Sequence, residues 1–353
     1  MKKILVLTKY GDLAATTRQR FLQYQEELEE NGFDLTIEPL LDNEYLENMF
    51  KGLKTNKLMV IKRYLRRLYI LLFKKNFDAI WLQYELFPYL PSFFEKLISF
   101  PRKPIIYDFD DAIFHKYDNH SNPVLRKLLK GKLDPLIGKV HSAICGNKYL
   151  EDWAKQRCSR TYIVPTVVDT TKYIKLEKEY STETIIGWIG SPSTWHYVDE
   201  IKDPLIKISK THNVALRIVG SGNKPSEEDL FEFIDWSLDS EISLIQSMDI
   251  GIMPLTEDLW SKGKCGYKLI QYMACGLPVI ASPVGVNKEL VENDVNGFLA
   301  NSEEDWIKFL DLLIKDPELR SRLGAKGRER VEKNYSVKTH LTRISSILNK
   351  SFR

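Results

Sequence analysis

Short apolar runs alternate with polar stretches of helix length from the start of the chain. In the first half they fall at 4–7, 35–37, 79–82, 105–107, 143–145 and 162–164. Most are separated by enough residues for a crossover helix, which predicts parallel strands alternating with helices and an α/β fold class. The rhythm breaks over 166–183, where TVVDTTKY and KLEKEY show no period, and this segment reads as a linker. It resumes at Thr184, with runs at 185–189, 215–219, 231–234, 250–253, 279–281 and 297–299. Two such sets predict two doubly wound domains, 1–165 and 184–335, rather than one large sheet. After Ser302 the pattern is helical throughout: Pro317 opens one helix, and 336–353 contain a last one that could pack back on the first domain.

The chain of 353 residues is 43% hydrophobic, enough for two α/β cores. A formal charge of +3 is small against 51 basic and 48 acidic residues, and no nucleic-acid partner is expected. Cys145, Cys158, Cys265 and Cys275 form no C-x-x-C pair and no cluster with histidine, so neither a zinc site nor a disulfide framework is predicted. A reducing cytoplasm suits them. The two lysines before the run 4–7 precede a first strand rather than a signal peptide. No run reaches the roughly 18 apolar residues of a membrane span.

The most informative stretch is SKGKCGYKLIQYMACGLPVIAS, residues 261–282. Gly266 permits close backbone approach, a helical pattern follows from about Tyr267, and Gly276 with Pro278 ends it before a strand. Lys264, Lys268 and Gln271 recur at helical spacing and share a face at the helix start, opposite Leu269, Ile270, Met273 and Ala274. Amide N–H groups, helix dipole and two ammonium charges there suit a diphosphate. The plain alternative is a helix with two solvated lysines.

With the run VGVNKELVENDVNGFLA that follows it, this stretch resembles the donor domain of the retaining GT-B glycosyltransferases, glycosyl transferases group 1. Their signature is E-x7-E ending in a Glu-x-Met-Ala-x-Gly-x-Pro-Val run. WIGSPST, IVGSG, WSLDSEI and DIGIMPL match the family's order of donor-domain segments, and the resemblance covers about residues 184–335. It implies two Rossmann-like domains facing across a cleft. It also implies transfer of a sugar, with retention, from a UDP- or GDP-sugar to a hydroxyl of a glycan or lipid-linked acceptor in cell-surface polysaccharide synthesis. No cofactor and no metal are implied. Gly190, Ser191, Trp236, Ser237, Lys264, Gly266, Tyr267, Lys268 and Gln271 are expected at the donor, with Lys264 and Lys268 stabilising the departing diphosphate.

Two departures stand out. The second signature glutamate falls on Gln271, which can still hydrogen-bond a ribose, and the first falls on Gly263, which cannot replace a carboxylate. The arginine and lysine that the family sets after the first donor-domain strand fall near Ser191 and His196. Lys262, Lys264 and Lys268 are candidates for the missing charge. A catalytically weakened nucleotide-sugar-binding partner subunit is the alternative these losses suggest. A nicotinamide oxidoreductase is disfavoured, because no G-x-G-x-x-G follows either first strand.

In the first domain, PIIYDFDDAIF sets Asp108, Asp110 and Asp111 just past a buried strand, where ligands gather in open α/β sheets. One reading makes Asp110 a base for the acceptor hydroxyl and Asp108 and Asp111 acceptor-binding groups; the other has them capping a helix or pairing with arginines. Arg18 and Arg20 are set to meet an acceptor phosphate or simply to lie exposed. Residues 57–75, KLMVIKRYLRRLYILLFKK, read as an amphipathic helix with Ile61, Leu65, Leu68 and Leu72 on one face and Lys62, Arg63, Arg66 and Arg67 on another. It suits either peripheral contact with an anionic membrane at the inner face of the cell or a crossover helix with a solvated basic face.

Overall fold

A computed structural model describes residues 1–99, 101–177, 181–222 and 231–352. The predicted linker therefore lies partly outside the described residues. The chain divides into two compact units: 1–166 with 262–265 and 340–353, and 167–261 with 266–339.

Unit 1 is built on six strands: β1 (Lys2–Tyr10), β2 (Phe33–Leu41), β3 (Ala79–Gln83), β4 (Ile105–Phe109), β5 (Ser142–Cys145) and β6 (Thr161–Ile163). They pair in parallel in the order β2-β1-β3-β4-β5-β6, with Ile4 opposite Ala79 and Gln83 opposite Asp108. All of β3 and β4 is buried, as expected of a sheet covered by helices on both faces. The order reverses between β1 and β3, which puts the crevice outside their carboxyl ends, beside Tyr10 and Tyr84.

Unit 2 repeats the plan with β7 (Thr184–Ile189), β8 (Val214–Val219), β9 (Phe231–Ile234), β10 (Ile250–Met253), β11 (Val279–Ala281) and β12 (Gly297–Leu299). The order is β12-β11-β10-β7-β8-β9, all parallel, with the reversal between β10 and β7. Strand periodicity sorts its side chains between two cores: Ile186, Trp188, Ile250, Ile252 and Ile280 enter one, Ile189, Met253, Val279 and Ala281 the other. The helix Tyr267–Ala274 belongs to the second core, against the helix Pro317–Asn334. Gly324 allows this contact, because a Cβ there would stand 1.9 Å from the Gly276 carbonyl oxygen. Arg328 closes the end of the shorter helix by donating to the carbonyls of Ala274, Tyr173 and, at 2.9 Å, Thr170.

The helix Lys57–Phe73 departs from the reading at Arg67. Arg67, grouped in sequence with the solvated basic face, is interior and donates to the carbonyls of Thr8 and Glu38 at 2.8 Å each. Burial lowers its pKa to about 10. Ile61 and Leu65 face solvent. The four cysteines are buried thiols. Among the described residues no helix is long and apolar enough to cross a membrane.

Candidate functional site

In unit 2 the expected donor residues lie after β7, β8 and β9 and along the helix Tyr267–Ala274, except Lys264, which belongs to unit 1. Gly190 follows β7 with no room for a side chain, since a Cβ would meet the Trp188 ring at 2.2 Å. Ser191 opens the turn Pro192–Thr194, its N–H donating to Thr194 Oγ1 at 3.1 Å. Gly220 has φ +77°, and a Cβ on it would lie 2.4 Å from the Gly190 carbonyl oxygen, so the loops after β7 and β8 meet backbone to backbone.

Gly266 adopts the left-handed conformation (φ 66°, ψ 21°) at the N-cap, and no side chain caps the first turn that follows. Lys268 Nζ stands 5.5 Å from the centroid of the Trp188 ring, within reach of a cation–π attraction. This brings a cation and a helix N-terminus to the end of the strand at which the sheet reverses. Both are groups of the kind that attract an anion.

Gln271, one turn further on, is buried and committed to a network. Its Nε2 donates to Tyr173 Oη at 3.0 Å and to Glu241 Oε1 at 3.1 Å, while Tyr173 donates to the same carboxylate oxygen at 2.7 Å. The indole N–H of Trp236 donates to Glu241 Oε2 at 2.9 Å, and Ser237 Oγ accepts from the Ser240 N–H at 3.2 Å just before the helix Glu241–Gln246. Tyr267 Oη lies 3.4 Å from Tyr173 Oη. Burial first, then Glu241, pushes the Tyr173 phenol up, so it stays a donor. Sequence reasoning missed Glu241 and Tyr173. Glu241 sits in WSLDSEI, but nothing local says that it meets a residue thirty positions on.

In unit 1, Asp108 and Arg20 are brought together in the interior. Arg20 Nε donates to Asp108 Oδ1 at 2.8 Å and its NH1 to the Val164 carbonyl at 2.7 Å; the Trp81 indole N–H reaches Asp108 Oδ2 at 3.2 Å. Burial pushes the Asp108 carboxyl up, against the pull of Arg20. Burial also opposes charge on Arg20, but Asp108 and Asp110 together outweigh it and keep the guanidinium protonated. Arg18 turns to the carbonyls of Asp12 and Leu13, at 3.0 and 2.8 Å.

Asp110 and Asp111 lie beside the segment 262–265. Asp110 accepts from Tyr84 Oη and, at 3.4 Å, from Thr166 Oγ1, while its carbonyl accepts from Cys265 Sγ at 3.1 Å. Tyr84 has φ +60°, a costly conformation for an aromatic residue, held at the end of β3. Lys264 Nζ is 3.9 Å from Asp111 Oδ1, and Asn147 Nδ2 donates to the carbonyls of Gly263 and Lys264 at 2.9 and 3.0 Å. Lys262 ends the short helix Leu259–Lys262, half-buried. A Cβ at Gly263 would fall 2.4 Å from the Ala112 Cβ and 2.9 Å from its backbone nitrogen, so no carboxylate side chain fits at this position. Tyr84, Asn147 and Thr166 also escaped sequence reasoning; Asn147 alone left a trace, as an N-cap before the helix Lys148–Lys155.

A second charged cluster lies deeper in unit 1. The Lys132 ammonium, fully buried, meets Glu85 and, at 3.0 Å, Glu95. Lys116 lies near it, over the Tyr89 ring at 4.4 Å. Burial first, then the charge of Lys9, lowers the Lys116 pKa to about 8.

Residues 183–316 match the family model described as Glycosyl transferases group 1. An uncharacterized glycosyltransferase of Haemophilus influenzae is 34% identical over 181 residues, 46% of this chain and 47% of its own length. The capsular polysaccharide biosynthesis glycosyltransferase CapM of Staphylococcus aureus is 24% identical over 192 residues, 50% of this chain and 49% of its own. The chain thus spans about half the length of these curated relatives. Among solved structures, Anabaena HepE in complex with UDP-glucose matches with a TM-score of 0.72 at 15% identity, covering 99% of this chain and all of the other. That likeness shows the fold: two sheets of six parallel strands with surrounding helices, of the GT-B type.

Proposed function

We propose that this chain is a glycosyltransferase that moves a sugar, with retention, from a nucleotide-diphosphate sugar to a hydroxyl of a glycan or lipid-linked acceptor in cell-surface polysaccharide synthesis. The observation that carries this reading is the uncapped first turn of the helix Tyr267–Ala274 with Lys268 beside it, at the reversal point of the second sheet. A diphosphate there gains from amides, dipole and ammonium charge alike, and these groups stabilise it further as it departs. The ribose is assigned to the Gln271–Glu241 pair, and the base to the neighbourhood of Trp236 and Ser237. The uridine nucleotide in the HepE complex favours a UDP-sugar over a GDP-sugar.

Unit 1 is assigned the acceptor, with Asp110 receiving the hydroxyl proton and Asp111 and Lys264 lining the approach. Arg20 and Asp108 act as positioning residues behind them. No metal is assigned, because Asp108, the first of the three neighbouring carboxylates, is already held by Arg20 and Trp81. Turnover is expected to survive a chelator. The reading sets the enzyme on the cytoplasmic side of the cell membrane, in peripheral contact through residues 57–75, where a lipid-linked acceptor is presented.

Calorimetric titration with UDP, GDP, ADP and their common sugars, followed by a transfer and hydrolysis assay, tests the proposal. Lys268→Ala is expected to lower turnover roughly a hundred-fold while barely moving the unfolding temperature. Unchanged turnover removes the lysine from the mechanism. A second reading, a weakened binding subunit, is favoured by the closed space at Gly263; tight nucleotide-sugar binding with neither transfer nor hydrolysis would establish it instead.

A further inference from the structure

The helix Lys57–Phe73 turns an apolar stripe outward. Leu58, Ile61, Leu65, Tyr69 and Phe73 follow one another at three- and four-residue spacing, and each is 55–63% exposed. In a water-facing helix this face would be polar. The polar side is the one turned inward or paired: Arg67 is interior, Arg63 meets Asp42, and Arg66 meets Glu38 at 2.7 Å.

The helix ends at a pocket of about 750 Å³ in the same unit. Its lining joins apolar groups, among them Leu71, Leu72, Phe77, Leu97 and Pro101, to the cations Lys74, Lys75, Lys96, Arg102 and Lys103, and it includes no carboxylate. Lys74 is paired with Glu38 at 3.0 Å. Among the described residues, Lys75, Lys96, Arg102 and Lys103 have no carboxylate within ion-pair reach. The pocket lies where the chain enters β3 and β4, at the amino end of the sheet, whereas Asp110 and Tyr84 stand at its carboxyl end. It is therefore separate from the acceptor site assigned above.

We propose that this pocket binds the phosphate headgroup of an anionic phospholipid while the stripe on Lys57–Phe73 lies among the acyl chains at the bilayer surface. The two features reinforce each other chemically. An amphiphile with one anionic end needs cations next to an apolar surface, and the pocket lining holds both. A concentration of unpaired positive charge favours a negative surface over a neutral one. A soluble anion would account for the cations and leave the outward stripe unexplained.

The inference extends the membrane contact of the proposed function and rests on that part of it. Vesicle binding needs neither nucleotide nor acceptor, so failure here and failure of the transferase reading are distinguishable. The full chain is sedimented with vesicles of phosphatidylcholine alone and of phosphatidylcholine mixed with phosphatidylglycerol, at low and high salt. The expected result is binding to the mixed vesicles that falls with salt and is not displaced by inorganic phosphate. Lys75→Glu and Lys96→Glu should each weaken partition by roughly five-fold or more. Phe73→Ser with Leu65→Ser should weaken it at both salt concentrations. All these positions are exposed, and unchanged unfolding temperatures will show that the variants fold.

Equal binding to neutral and anionic vesicles, or undiminished binding of the lysine variants, would overturn the pocket as a headgroup site. Displacement by inorganic phosphate would make it a site for free anion. Absence of vesicle binding, or self-association in velocity sedimentation that Phe73→Ser abolishes, would overturn the membrane assignment.

Discussion

The Arg20–Asp108 pair offers a quantitative test of how unit 1 holds its aspartates. Both side chains are interior, and four polar groups converge there: the guanidinium, the carboxylate, the Trp81 indole and the Val164 carbonyl. In Arg20→Met the carboxylate keeps only the indole, at 3.2 Å. Breaking one partner of a buried ion pair costs about 3–5 kcal/mol. At about 2–4 °C per kcal/mol for a unit of this size, the transition should fall by roughly 6–20 °C.

Protonation supplies a second readout. Burial already raises the Asp108 pKa, and Arg20 is the group pulling it down. Without Arg20 the folded state binds a proton that the unfolded chain has released, so stability falls as pH rises between the unfolded and folded pKa values. The deficit of Arg20→Met should therefore be smaller at pH 5 than at pH 8. Adding Asp108→Asn should recover part of the loss, with a coupling of about 1–3 kcal/mol in a double-mutant cycle. Scanning calorimetry of the four proteins at both pH values reads all of this. Additive single effects with no pH dependence would refute a charge-based account and leave only packing.

Gly324→Ala should destabilise unit 2 by about 1 kcal/mol or more in urea unfolding, the clash with the Gly276 carbonyl outweighing the better helix propensity of alanine. Gln271→Glu, which introduces the glutamate that the resemblance implies, should lower the unfolding temperature because it sets a carboxylate against Glu241. Glu241→Gln in the same chain should restore stability, and an unimpaired single variant would show that the network tolerates two charges. Lys116 should lose its proton near pH 8 when followed by NMR of its methylated amine. The unfolded chain holds that proton to the ordinary lysine range, so this group's contribution to stability rises with pH between about 8 and about 10.5. A titration at the ordinary lysine value would place Lys116 in water.

The strands were legible because their signal is local. Each of the twelve apolar runs became a strand, and Pro317 opens a helix as its fixed φ and missing N–H predict. Helix existence at 57–73 was equally readable, yet its rotation was not. The pattern left two orientations open and grouped Arg67 with the basic face, whereas Arg67 is drawn inward by two strand carbonyls that no window around residue 67 contains. The same limit applies to the candidate sites. Lys268 and Gly266 are visible in their own segment, while the Glu241–Gln271 contact and the pairing of Arg20 with Asp108 are long-range events. Gly263 looked like a lost carboxylate; the space around it shows that glycine is what fits.

The stretch 340–352 has a consequence for biosynthesis. Lys2 Nζ donates to Asn349 at 2.7 Å, Phe33 stacks on Phe352 with ring centroids 6.3 Å apart, and Lys350 lies over Tyr162. These contacts tie strands made early to residues that leave the ribosome only after the second sheet has been synthesised. Unit 1 can therefore complete these contacts only after the strands of unit 2 have been made, and chaperone engagement during translation should concentrate before that point.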